Sequence, residues 1–179
     1  MYSLFVTCTR YLEPLLLQEL KSRGADEVKQ TVAGCHMTGD LRLAYSICLW
    51  SRVASRVLLQ LHKFDFEQDQ DLYAGSRQVA WDKIFSLDST FAVDANVSRS
   101  RVRNANYAAL TIKDAIVDSF RATYGSRPSV DTQEPDIRFH LHTEKHTAIL
   151  YLDLSGESLH KRGYRLSGGT TRKITDRLG

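Results

Sequence analysis

Arginine alternates with other residues in Arg99-Ser-Arg101-Val-Arg103, and the run continues Asn104-Ala-Asn106-Tyr107. These side chains suit an anionic polymer. Guanidinium forks take phosphate oxygens in pairs, carboxamides reach base edges or sugars, and a phenol ring offers a face on which a base can stack. The apolar spacing that follows predicts a helix to about Tyr124. Its free N–H groups and the positive end of its dipole would stand directly behind the arginines. Lys113 falls two turns after Asn106 on the same flank. The chemistry implied is contact with single-stranded or looped RNA. The competing account is a solvated arginine loop ahead of an ordinary helix.

A second basic segment lies near the C-terminus. Ser158-Leu-His-Lys161-Arg162-Gly-Tyr-Arg165 is followed by Arg172, Lys173 and Arg177 against the single acid Asp176. The acids collect earlier, at Asp65, Glu67, Asp69 and Asp71. Net charge is only +3, so the placement of charge carries more information than its sum.

Catalytic and metal signatures are scarce. Gly168-Gly-Thr-Thr171 lacks the lysine and spacing of a phosphate-binding loop, and no GxSxG or HExxH run occurs. His140 and His142 would share one strand face near His146, but hairpins commonly carry histidines without a metal, and none is expected here. Asp131, Glu134 and Asp136 read as solvated loop carboxylates. Trp50 and Trp81 read as packing residues rather than stacking platforms. Cys8, Cys35 and Cys48 are too scattered for a zinc site, and an odd count argues against a disulfide framework. With no signal peptide or membrane-spanning run, a soluble cytoplasmic protein without a membrane partner is expected.

The elements that must position these residues can be read from periodicity. Strands are predicted at Ser3–Thr9, Val28–Val32, Cys35–Thr38 and around Val57–Leu61, with Gly34 at the turn between the second and third. Helices are predicted at Leu12–Arg23, stopped by Gly24, and Leu41–Trp50, capped by Asp40. The order β-α-β-β-α-β is the ferredoxin-like signature: an antiparallel sheet with both helices on one face. Short helices at Leu72–Val79 and Trp81–Phe85 come next, then a strand at Phe91–Val97 leading into the arginine loop. The long helix buries Ala108, Ile112, Ala115, Ile116, Phe120 and Thr123. A hairpin joins Ile137–His142 to Ala148–Leu154. The fold class is α+β, in two α/β units.

Several segments together resemble a known family. Arg103-Asn-Ala-Asn-Tyr-Ala-Ala-Leu-Thr-Ile-Lys-Asp-Ala-Ile-Val-Asp118 is similar to the central helix region of THUMP domains, specifically those of bacterial 23S rRNA guanine-N2-methyltransferases. Pro135-Asp-Ile-Arg138, Leu152-Asp-Leu-Ser-Gly156 and Leu159-His-Lys-Arg-Gly-Tyr-Arg165 match later segments of that family. Leu12-Glu-Pro-Leu-Leu-Leu-Gln-Glu-Leu20 and Trp50-Ser-Arg-Val-Ala-Ser-Arg56 resemble its N-terminal ferredoxin-like subdomain. The resemblance implies a ferredoxin-like subdomain at 1–64 and a THUMP RNA-binding domain at 65–165; residues 166–179 depart from the family's pattern and read as a flexible basic tail. It also implies a function: positioning ribosomal RNA for a methyltransferase domain, in cis, that uses S-adenosylmethionine. That domain's Asn/Asp-Pro-Pro-Tyr/Phe motif is missing from this sequence, so the chain alone is expected to hold no cofactor and not to catalyse. The expected RNA contacts are Arg99, Arg101, Arg103, Asn104, Asn106, Tyr107, Lys113, Lys161, Arg162 and Arg165. The alternative is a protein-interaction or dimerisation module working through a sheet edge or apolar face, without direct RNA contact.

Overall fold

The computed structural model describes residues 1–100, 102 and 104–161. The elements follow the predicted order. The first half holds β1 (Tyr2–Cys8), α1 (Glu13–Ser22), β2 (Asp26–Thr31), β3 (Gly34–Gly39), α2 (Leu41–Trp50) and β4 (Ala54–Asp65). The second holds α3 (Asp69–Ser76), a 3-10 turn at Trp81–Lys83, β5 (Phe91–Ser98), α4 (Ala105–Tyr124), β6 (Ile137–Glu144), β7 (Thr147–Asp153) and a last 3-10 turn at Leu159–Lys161.

All seven strands join one sheet in the order β2-β3-β1-β4-β7-β6-β5. The first four have the ferredoxin-like arrangement. Every neighbouring pair is antiparallel except β5 and β6, which run parallel through the crossover helix α4. Two units were expected from the sequence, and they share a sheet rather than each closing its own. β4 is the reason: at twelve residues it pairs with β1 along its first half and with β7 from Leu58 to Asp65.

Every helix packs on one face. Leu4 and Val6 stand opposite Met37 and Cys35 on one side and Leu59 and Val57 on the other. With Leu16, Leu20, Ala44 and Ile47 they form the first core. Leu59 is paired with Leu152, so the same face continues across β7. There Leu150, Leu141 and Phe139 meet Ile112, Ile116 and Phe120 of α4 in a second, aromatic-rich core. The Trp81 ring stands edge-on to Phe139 with its Nε1–H donated to the Ser76 carbonyl, which satisfies its one polar group.

Local details depart from the expectations. Gly34 lies in β3, not in the turn; Ala33 makes the turn, with φ 59°. Gly34 is required for close approach, because a Cβ there would sit 2.4 Å from the Val6 carbonyl oxygen. Trp50 is 66% exposed at the end of α2, so it is not a packing residue as expected, whereas Trp81 is buried. Thr123 lies on the exposed side of α4. The acidic run starts at the end of β4 and finishes in the first turn of α3, where Asp69 and Asp71 meet the positive end of the helix.

Ile116 is fully buried in the second core. Ile116→Ala is expected to cost about 2–5 kcal/mol, read as a lower midpoint in chemical denaturation.

Candidate nucleic-acid interface

The site lies at the end of the sheet where β5 finishes. In order across the sheet, Ser98 of β5 pairs with Glu144 of β6, Glu144 with Thr147 of β7, and Thr147 with Asp65 of β4. The chain leaves β5 abruptly. Arg99 has φ 46°, in the left-handed region that non-glycine residues occupy at a cost, and this bends the loop away from the strand direction. Val102 then returns to the second core at 3% exposure. The loop is therefore anchored at its middle rather than freely solvated. Arg99 is exposed. Arg101 and Arg103 lie outside the described residues.

Asn104 caps α4. Its Oδ1 accepts from the backbone N–H groups of Asn106 and Tyr107, at 2.9 and 3.2 Å. The carboxamide oxygen is thus committed to the helix. Asn106 is exposed, and Tyr107 at 51% and Leu110 at 54% extend an exposed strip along the first turns. Lys113 follows on the same flank, its Nζ 2.6 Å from Asp114. A neighbour that sequence reasoning missed is Lys145. It occupies the tip of the β6–β7 hairpin at this end of the sheet, exposed and with φ 54°. The sequence signal was present in Glu144-Lys-His146, but it read only as a turn.

The acidic run opens at the same end of the sheet, at Asp65. Two of its carboxylates are engaged locally. Asp71 accepts from the backbone N–H groups of Glu67 and Gln68, and those hydrogen bonds hold its carboxyl below the usual range. Asp65 accepts from the Thr147 hydroxyl.

The second basic segment is elsewhere. Lys161 ends the 3-10 turn that follows β7 and packs through Leu159 onto the first core, beside the start of β4. The arginine loop sits where β7 begins, and Lys161 lies beyond its far end. Seven residues of strand separate the two ends, about 20 Å at the usual rise. The fold does not bring Lys161 to the arginine loop. Arg162 and Arg165 lie outside the described residues.

Carboxylates that read as solvated loop groups have structural roles. Asp136 accepts from the Thr90 N–H and hydroxyl, which lowers its pKa, and Asp131 caps Gln133 and Glu134. His140 is part of a network: its Nε2 is 3.0 Å from the buried Asp153 carboxylate, which also receives Arg56 and the Ser155 N–H. Among the described residues no group of three or more His, Cys, Asp or Glu is arranged to hold a metal. Nor, among them, is any helix long and apolar enough to cross a membrane.

Comparison with known proteins yields two family models: a THUMP domain over residues 67–153 and an RlmL ferredoxin-like domain over residues 3–58. A ribosomal RNA large subunit methyltransferase K/L of Syntrophotalea carbinolica is 48% identical over 92% of this chain and 23% of its own length. The protein of the same name from Pseudomonas aeruginosa is 46% identical over 94% of this chain and 23% of its own length. Among solved structures, a predicted N6-adenine-specific DNA methylase from Listeria monocytogenes superposes with a TM-score of 0.81 at 26% identity, over 94% of this chain and 44% of the other. The chain spans about a quarter of the length of the curated relatives it matches.

Two outcomes follow from this geometry. Asn104→Ala removes the α4 cap and is expected to cost about 1 kcal/mol, whereas Asn104→Asp, an equally good cap, keeps the melting temperature of the parent. The second concerns acid. Burial pushes the Asp153 carboxyl up, but the His140 and Ser155 hydrogen bonds and the Arg56 charge more than offset it, so its folded pKa lies below the ordinary value. A depressed folded pKa stabilises the protein above the unfolded value, about 4. That stabilisation is lost as pH falls from there through the folded value. Asp153→Asn should lower stability at neutral pH and flatten the acid limb of the stability–pH curve below about pH 4.

Proposed function

The chain belongs to the THUMP family, with an RlmL-type ferredoxin-like domain ahead of the THUMP domain, and on that premise we propose that it binds ribosomal RNA on behalf of a large-subunit rRNA guanine-N2-methyltransferase. The observation that carries the reading is the convergence at one sheet end of Arg99, the capped N-terminus of α4 and Lys145. The positive end of a helix dipole and flexible cations together suit phosphate oxygens. Arg99, Arg101, Arg103 and Lys113 take phosphates. Asn106 and Tyr107, with the free amide hydrogens of Asn104, take sugar or base. Lys161 stands beyond the far end of β7, so one RNA touching it and the arginine loop must span about 20 Å; Arg162 and Arg165, outside the described residues, are its proposed companions in RNA contact.

On this reading the ferredoxin-like unit occupies 1–64, the THUMP domain 65–165 and a basic tail 166–179. The ribosomal RNA methyltransferase relatives suggest methylation by the parent protein, in the cytoplasm, with S-adenosylmethionine as donor. The residues present do not fit that cofactor, because the sequence lacks both a nucleotide-binding glycine loop and the Pro-Pro motif that orients a guanine amine. Cofactor chemistry belongs to the remaining three quarters or so of the relatives' length, and this chain's part is to hold the RNA.

RNA affinity should depend on salt. With about five phosphates contacted, the slope of log affinity against log salt is expected to be roughly −3 to −4. A slope near zero in a fluorescence titration contradicts the reading. Changing Arg99, Arg101 and Arg103 together to Ala should weaken RNA binding while leaving the melting temperature nearly unchanged, since surface changes usually stay within about 0.5 kcal/mol. If that variant melts early but its folded fraction binds normally, the arginines are structural.

A further inference from the structure

The sheet face opposite the helices carries a second surface suited to nucleic acid. Among the described residues no helix packs there, because all four lie on the other side. Phe5 of β1 sits beside His36 of β3, ring centroids 4.7 Å apart, and 6.2 Å from Tyr151 of β7. Phe5 and His36 are partly exposed, whereas Tyr151, at 3% exposure, backs the Phe5 ring without offering a face of its own. His142 of β6 faces the same way, since it pairs with Ile149 of β7, which shares the face of Tyr151.

Cations border these rings. Lys29 is paired with His36, and Lys63 is paired with Ile149. Both are exposed. Burial disfavours the His36 proton, and the nearby His142, Lys63 and Lys29 act in the same direction. The acids at the centre of this face are already matched: Asp153 with Arg56 and His140, and Asp94 with Arg138.

We propose that this helix-free face binds an unpaired RNA segment, its bases stacking on Phe5 and His36 and its phosphates running between Lys29 and Lys63. The inference rests on the RNA-binding reading above and adds to it the strandedness of the substrate. Exposed rings bordered by lysines are the arrangement by which proteins hold single strands without reading sequence. A duplex keeps its bases stacked inside and cannot use it. The arginine loop and the α4 N-terminus bind phosphates whether or not the strand is paired. The substrate thus includes an opened RNA segment, and the arginine loop adds no preference for or against a paired one beside it.

The test compares a fluorescent RNA decamer without self-complementarity with a blunt duplex of equal length, by anisotropy with the full chain. One variant is Lys29→Glu with Lys63→Glu, which removes no core contact. The other is Phe5→Leu, checked for folding by circular dichroism. Loss of a stacked base costs about 1–3 kcal/mol, so each variant is expected to weaken the decamer at least about fivefold and the duplex less than twofold. If both variants bind the decamer as the parent does, while the triple arginine variant loses it, the sheet-face proposal is overturned and RNA binding stands. If the parent binds neither RNA, the RNA reading fails and this proposal with it. If the lysine variant instead turns a dimer into a monomer without changing RNA affinity, the face is a contact between copies and the proposal is overturned.

Discussion

Strand β4 is hydrogen-bonded along both edges, to β1 on one side and β7 on the other, and the rest of the molecule hangs on that double pairing. Its residues must face the helices over two cores in succession. In the first half Val57 and Leu59 do so, on odd positions. In the second half His62 and Phe64 do so, opposite Leu150 and Ala148, on even positions. A bulge between Gln60 and His62 makes the change. Without the extra residue a strict alternation would turn Phe64 to the wrong face, away from the Gly75 backbone it packs against.

The shared strand also fixes the electrostatics. The arginine loop and the opening of the acidic run lie at one end of a common sheet, two strands apart. The exposed Glu144 stands beside Ser98, and Asp65 and Asp71 keep their negative charge while accepting hydrogen bonds from a hydroxyl and from backbone N–H groups. A net charge of +3 thus conceals an uneven arrangement, in which Arg99, Lys145 and a helix end stand among acids at one end of the sheet.

Legibility in the sequence followed the strength of the periodic signal. The α2 bounds and its Asp40 cap could be read because an apolar stripe and a capping residue agree. The α4 core face, from Ala108 to Phe120, was legible for the same reason. The joining of the last three strands onto the ferredoxin-like four was not, because register depends on partners distant in sequence. The bulge in β4 was hidden, since Val57, Leu59 and Leu61 mimic unbroken alternation. Val102 as an anchor was overlooked because two arginines flank it. Two basic segments gave no hint of their separation, which only the length of β7 sets. The sheet-face ring cluster was the least visible, because Phe5, His36 and Tyr151 are far apart in sequence and each alone looks like an ordinary strand residue.

A seven-stranded sheet that does not close into a barrel leaves two free edges, and an edge of unpaired amide groups invites another chain to add on. At one edge, β2 is short, carries Asp26, Glu27 and Lys29, and breaks register with β3 between Asp26 and Lys29 where Glu27 adopts φ 50°. At the other, β5 is partly covered: Phe91 donates to the Ser129 carbonyl and accepts from Asp131, so the loop after α4 fills the first rung. The charge and kink at one border and the lid of loop at the other oppose indefinite lateral growth.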